Sequence, residues 1–326
     1  MRARDGRIDS IKGFLIILVI MGHVITAVDN INIVNHGMMG LIYIFHMPLF
    51  ILISGYFTKH PDQQKPVDMW RGVANLLITI LIFHSLKCVR IHFTGGDFLH
   101  AFREFPFGIL WYLMCLVYWR IILYYTPRAL LRKPGLYLCI ALVVSLLCGM
   151  SRLYNFLALQ RMLNFYVFFV LGFYFRQGQV NTRWWNCNKL HAAVAVLLLP
   201  ILFLYFPRCG NIMNGADYYS LSGVPGKALV LACSVAMSLL VFNLMPDVKW
   251  LRPIGRDSLF YYLFHIPFIN SVLGPLTRQY DLPTSFPFIV IYTVIAFAIV
   301  WLLNKVAFLK WLTHPFIKPR ARSSAP

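Results

Sequence analysis

Residues Lys12–His23 read KGFLIILVIMGH. A cation opens the stretch, a histidine closes it, and almost everything between them is apolar. Segments of about 17–25 apolar residues cross a bilayer as single helices. Comparable stretches recur along the whole chain, which has 326 residues, 59% of them hydrophobic and 13% charged. The class that follows is an all-α, polytopic membrane bundle. A β-barrel would instead show alternating strands of about ten residues.

Ten spans are expected, at roughly 11–28, 38–57, 71–91, 107–126, 134–151, 161–177, 189–207, 226–245, 256–275 and 286–309. Proline and glycine mark many of the connections, among them Pro61, Pro66, Gly95, Gly96, Pro127, Pro246 and Pro283. The connections are short, so residues 1–326 read as one integral membrane domain. The first apolar run has no small-residue cleavage site after it and is read as a retained span. The formal net charge of +19 could suggest nucleic acid, but the cations punctuate apolar spans and act as topology signals. With the N-terminus in the cytoplasm, the 30 lysines and arginines divide 22 to 8 in favour of the cytoplasmic side. Both termini are therefore expected there. The seven cysteines are scattered, without metal-type spacing, and read as small apolar core residues.

Ionisable residues inside spans are costly and mark candidate functional sites. Four histidines qualify: His23, His46, His84 and His265. For any one alone, a neutral ring bonded across helices explains it equally well. His23 and Lys12 stand 11 positions apart, about three turns, and so share a face, as does Asp9 if the helix reaches it. Lys12 has two readings, a side chain snorkelling to the interface or a grip for a charged ligand. His46 and His265 sit in related segments, FHMPLF at 45–50 and FHIPFI at 264–269. A mid-span proline frees the carbonyl four residues upstream, here those of Ile44 and Leu263, which points to a polar interior. Ser54 and Gly55 permit close helix approach. Arg161 and Asn164 open the sixth span, Trp111 and Tyr112 open the fourth, where an interfacial aromatic belt is an equal reading, and Tyr262 precedes His265. There is no P-loop, no H-E-x-x-H and no G-x-S-x-G. Nucleotide hydrolysis and zinc chemistry are poorly supported, and no metal is expected. A histidine base acting on an already activated substrate fits better.

At these residues the sequence resembles membrane-bound acyltransferases of the acyltransferase-3 family, in the group related to bacterial sugar O-acetyltransferases. The family's first helix carries a basic residue, ten intervening residues and a histidine, here Lys12 and His23, preceded by Asp9 in RIDSIKG. FHMPLFILISGYF, LWYL at 110–113, RMLNFYVFFVLGFYF from Arg161 and SLFYYLFHIP also match, in order, over nearly the whole chain. The resemblance implies acetyl-coenzyme A as cytoplasmic donor and an extracytoplasmic or lipid-linked sugar hydroxyl as acceptor, in a bacterial cytoplasmic membrane. It implies that His23 is catalytic and that Lys12 helps hold the donor. Some members carry an appended soluble domain, and none is expected here.

On this expectation the donor's phosphates dock near Lys12, Asp9, Arg7 and Arg71, and the pantetheine arm rises to His23. Neutral His23 is the general base on the acceptor hydroxyl, with a transient acyl-histidine as a variant. His46 or His265 orients His23 or polarises the thioester. A proton-coupled carrier using the same histidines and proline-broken helices is the competing class.

Overall fold

The computed structural model describes residues 5–28, 33–105, 108–151, 156–204 and 223–313. The described residues are helical, with no strand among them. The long helices are α1 (Gly6–Ala27), α2 (Ile33–Phe57) and α3 (Pro66–Phe93). A short α4 (Phe98–Arg103) leads to α5 (Trp111–Tyr125), α6 (Arg128–Leu131) and α7 (Pro134–Leu147). Then come α8 (Leu159–Arg176), α9 (Thr182–Trp185), α10 (Asn188–Leu204) and α11 (Val224–Leu244). The chain continues through α12 (Leu251–Arg256), α13 (Ser258–Phe268), a π-helical turn at Ile269–Leu273 and α14 (Gly274–Gln279). It ends in α15 (Phe286–Leu303) and α16 (Ala307–Thr313).

Seven helical segments among the described residues are long and apolar enough to cross a membrane. The other three expected spans fall on two shorter apolar helices, Pro134–Met150 and Asn188–Ile201, and on α8. Gln160, Arg161 and Asn164 make α8 too polar to stand out by hydropathy, yet 13 of its 18 residues are buried. A helix ringed by protein has little need of lipid-facing apolar surface. α15 is the opposite case, the most apolar segment and only 28% buried, and it turns the most surface outward.

Two close crossings hold the centre together. α2 packs along α8, where a Cβ on Gly172 would lie 1.9 Å from the Leu52 carbonyl oxygen and one on Gly55 would lie 2.0 Å from that of Phe169. Only glycine permits that approach. α1 packs against α12 in the same way, with Gly255 against the Asp9 carbonyl. α1 begins earlier than the apolar pattern suggests because Asp5 caps it, accepting the Arg7 N–H at 2.9 Å. That added length brings Asp9 and Ser10 onto the helix. The Val248 N–H donates to Ser10 Oγ at 2.9 Å, which ties the start of α1 to the connection before α12. In the same connection, the Arg252 guanidinium beside Asp247 holds its carboxyl below the usual carboxylate range.

α1, α2, α3 and α5 alternate in direction. Arg128, just after α5, pairs with Asp62, between α2 and α3, at 2.6 Å. The end of α5 therefore lies on the face of the bundle that carries the start of α1. The ends of the chain, residues 1–4 and 314–326, lie outside the described residues, as does their expected cytoplasmic placement.

Candidate active site

Three of the four intramembrane histidines converge, and each comes from a different helix. His23 on α1 lies 5.1 Å from His265 on α13, centroid to centroid, with the rings inclined by 44°. His46 on α2 lies within electrostatic reach of His23. The two F-H-x-P histidines are held alike. His46 Nδ1 meets the Ile42 carbonyl at 2.7 Å, and His265 Nδ1 meets that of Tyr261 at 2.9 Å. These carbonyls stand two residues before the ones the prolines free, so each motif positions its histidine by a bond within its own helix. A carbonyl only accepts, so each neutral ring carries its proton on Nδ1 and leaves Nε2 as the lone-pair nitrogen. His265 Nε2 is buried with no hydrogen-bond partner.

His23 differs from both. No described residue hydrogen-bonds to its ring. It is enclosed by protein, yet it keeps partial solvent accessibility. Gly22, beside it, lets Tyr43 of α2 approach, since a Cβ there would lie 2.9 Å from the Tyr43 ring. Tyr43 in turn meets His46 edge-on at 5.0 Å.

Above the histidines stands a wall of aromatics and one cation. Tyr262 lies 6.3 Å from His265 and 5.5 Å from Tyr112. The Tyr262 hydroxyl is fixed on the Ile109 carbonyl. Ser54 and Tyr112 share a hydrogen bond of 2.7 Å. Trp111 stacks on Phe165 at 5.4 Å, and the Arg161 guanidinium lies 5.1 Å over the Trp111 ring. Arg161 is within electrostatic reach of Tyr43 and Tyr262 and makes no ion pair with a described residue. Its helix enters through Leu157 and Ala158, both left-handed at φ 47° and 59°. α5 clamps this entry, as Tyr118 OH donates to the Leu157 carbonyl at 3.2 Å and Trp119 Nε1 to that of Met162 at 2.9 Å. Backbone held in that region over-determined by its surroundings is common beside functional sites.

At the N-terminal end of the α1 face, Lys12 Nζ pairs with Asp9 Oδ1 at 3.0 Å. The two other cations expected there are engaged elsewhere. Arg7 donates to the Phe242 carbonyl and stacks 5.3 Å over the Phe242 ring, joining α1 to the end of α11. Arg71 lies 3.5 Å from Asp68 in the first turns of α3. Asn164 also turns away from the histidines. Its side-chain oxygen takes the buried Lys227 ammonium, and its backbone carbonyl accepts Ser145 Oγ at 2.6 Å. His84 stands apart, against Phe105 at 5.0 Å and the Phe102 carbonyl at 3.2 Å. No group of three potential metal ligands comes together among the described residues.

Tyr43 and Arg120 belong to this region and were not singled out as site residues by the sequence. An aromatic near a span mouth reads as interfacial belt, and a cation near a span end reads as topology. The F-H-x-P neighbourhood was the available signal for Tyr43, three residues before His46.

The Acyltransferase domain model of the acyltransferase-3 family matches residues 5–305. Nodulation protein NolL of Sinorhizobium fredii is 31% identical over 201 residues, covering 55% of this chain and 51% of NolL. The chain thus spans about half the length of that relative. No solved structure matches. The match runs from the turn that caps α1 to just past the end of α15 and takes in every residue of the histidine centre, and the chain belongs to the acyltransferase-3 family of membrane acyltransferases.

Proposed function

We propose that the protein is an O-acetyltransferase of a bacterial cytoplasmic membrane. It moves an acetyl group from cytoplasmic acetyl-coenzyme A to a hydroxyl of an extracytoplasmic or lipid-linked carbohydrate. The observation that carries this reading is His23, whose ring is partly buried in the bundle 5.1 Å from His265 and bonded to no described side chain. His46, His84 and His265 each tie one ring nitrogen to a backbone carbonyl, and His23 has no such bond to a described residue. His23 keeps its ring nitrogens for a substrate.

In the reaction, the acceptor oxygen attacks the thioester carbonyl carbon while His23 takes the hydroxyl proton. The tetrahedral oxyanion then collapses, the C–S bond breaks, and the leaving thiolate takes the proton back from the His23 imidazolium. With Nδ1 committed to a carbonyl, neutral His46 and His265 offer only an accepting nitrogen. They can orient a hydroxyl or the His23 N–H, but cannot donate to the thioester oxygen. Arg161, a donor without an acidic partner among the described residues, suits the oxyanion instead. Ten spans with both ends in the cytoplasm would give the donor and the acceptor separate approaches to one centre.

The test is acetyl-labelled coenzyme A given to purified protein in lipid nanodiscs with a membrane glycolipid extract. Release of free coenzyme A with label entering the glycolipid fraction is expected. Movement of a solute across vesicles without thioester cleavage would support the carrier class.

A further inference from the structure

Arg120 lies on α5, eight residues past Tyr112, or about 12 Å along the helix axis. Its side chain is half-buried and its guanidinium lies in the groove left by Gly72 of α3, where a Cβ would stand 3.4 Å from Nη1. It makes no hydrogen bond and no ion pair with any described residue, and it lies within electrostatic reach of the Tyr112 phenol. Because α5 runs back toward the face where α1 starts, Arg120 lies on the Lys12 side of the histidine centre. An unpaired guanidinium inside a bundle is expensive to keep. Lys12, by contrast, already has Asp9 at 3.0 Å.

From Arg120 a file of polar rings leads inward. Tyr112 meets Tyr262 at 5.5 Å, Tyr262 meets His265 at 6.3 Å, and His265 meets His23 at 5.1 Å. We propose that Arg120 is an anion-binding residue that receives the diphosphate of the acyl-thioester donor, and that the pantetheine arm follows this file of rings to His23. The proposal rests on the reading of the donor given above. Arg120 supplies the uncompensated charge that the Lys12–Asp9 pair lacks, and its planar fork suits phosphate oxygens.

The experiment compares wild type, Arg120→Gln and Arg120→Lys with two donors, acetyl-coenzyme A and S-acetylpantetheine, which has no phosphate. Arg120→Gln should raise the KM for acetyl-coenzyme A about ten- to a hundredfold with kcat largely kept. It should leave kcat/KM for S-acetylpantetheine unchanged, and Arg120→Lys should recover part of the lost affinity. Where turnover of S-acetylpantetheine is too slow to measure, or Arg120→Gln does not fold, binding of labelled coenzyme A to Arg120→Lys decides, with weakened binding expected. An unchanged KM or binding constant overturns the proposal, as does an equal loss with both donors. A wild type that cleaves neither thioester would instead overturn the donor reading itself.

Discussion

The His265 imidazole reaches His23 across the bundle, 5.1 Å from ring to ring, while its own Nδ1 is tied back to Tyr261. One nitrogen fixes the ring and the other is left without a partner. His265→Asn separates these roles, because the asparagine amide can still donate to the Tyr261 carbonyl but ends short of the Nε2 position. The variant should fold with a near-normal melting temperature and lose about tenfold or more in kcat. Full activity would show that Nε2 takes no part.

Lys12 and Asp9 form a pair at 3.0 Å with side chains 18% and 6% accessible. Lys12→Ala leaves a nearly buried carboxylate without its cation and should lower stability as well as raise the donor KM. Adding Asp9→Asn should restore the stability and leave the KM high. If the double variant recovers both, Lys12 serves only to neutralise Asp9. Lys12→Arg should be the milder change, since it keeps the charge.

Gly172 sits where α8 crosses α2, with a Cβ position 1.9 Å from a backbone oxygen. Gly172→Ala must part the two helices and should cost about 1–3 kcal/mol, read as a lower melting temperature and a poorer folded yield. Gly135, near the start of α7, meets nothing within 4 Å of its Cβ position, so Gly135→Ala should stay within about 0.5 kcal/mol of wild type.

The distribution of cations predicts that fusions at Pro326 and near Asp29 face opposite sides of the membrane. Phosphatase and fluorescent-protein reporters at the two sites read this directly. Finding both on one side would contradict the ten-span topology.

The long apolar helices were legible because length and hydropathy are local properties, and the Lys12–His23 spacing because the helical period is fixed. The paired F-H-x-P segments are recognisable in the sequence as kinked, polar points, and the fold sets the His265 ring 5.1 Å from His23. Pattern does not show which helix lies in the middle. α8 looked the least membrane-like of the long helices because its polar residues are met by protein, as Asn164 is by Lys227. The same limit applied to cations. Arg7 and Arg120 both read as positive charge near a cytoplasmic end, yet one stacks on Phe242 and the other lies without an acid partner beside α3. That difference is set by contacts between helices distant in sequence.

The central claim is that His23 is the general base, and the most direct measurement is thioester turnover by purified His23→Ala beside His84→Ala. His84 is equally intramembrane but packs against Phe102 and Phe105, away from the centre. His23→Ala should insert, fold and bind labelled coenzyme A as wild type does, while acetyl transfer falls by at least about a hundredfold. His84→Ala should keep most of its activity. Near-normal transfer by His23→Ala, with activity lost instead in His84→Ala, would contradict the assignment and move the catalytic site to α3.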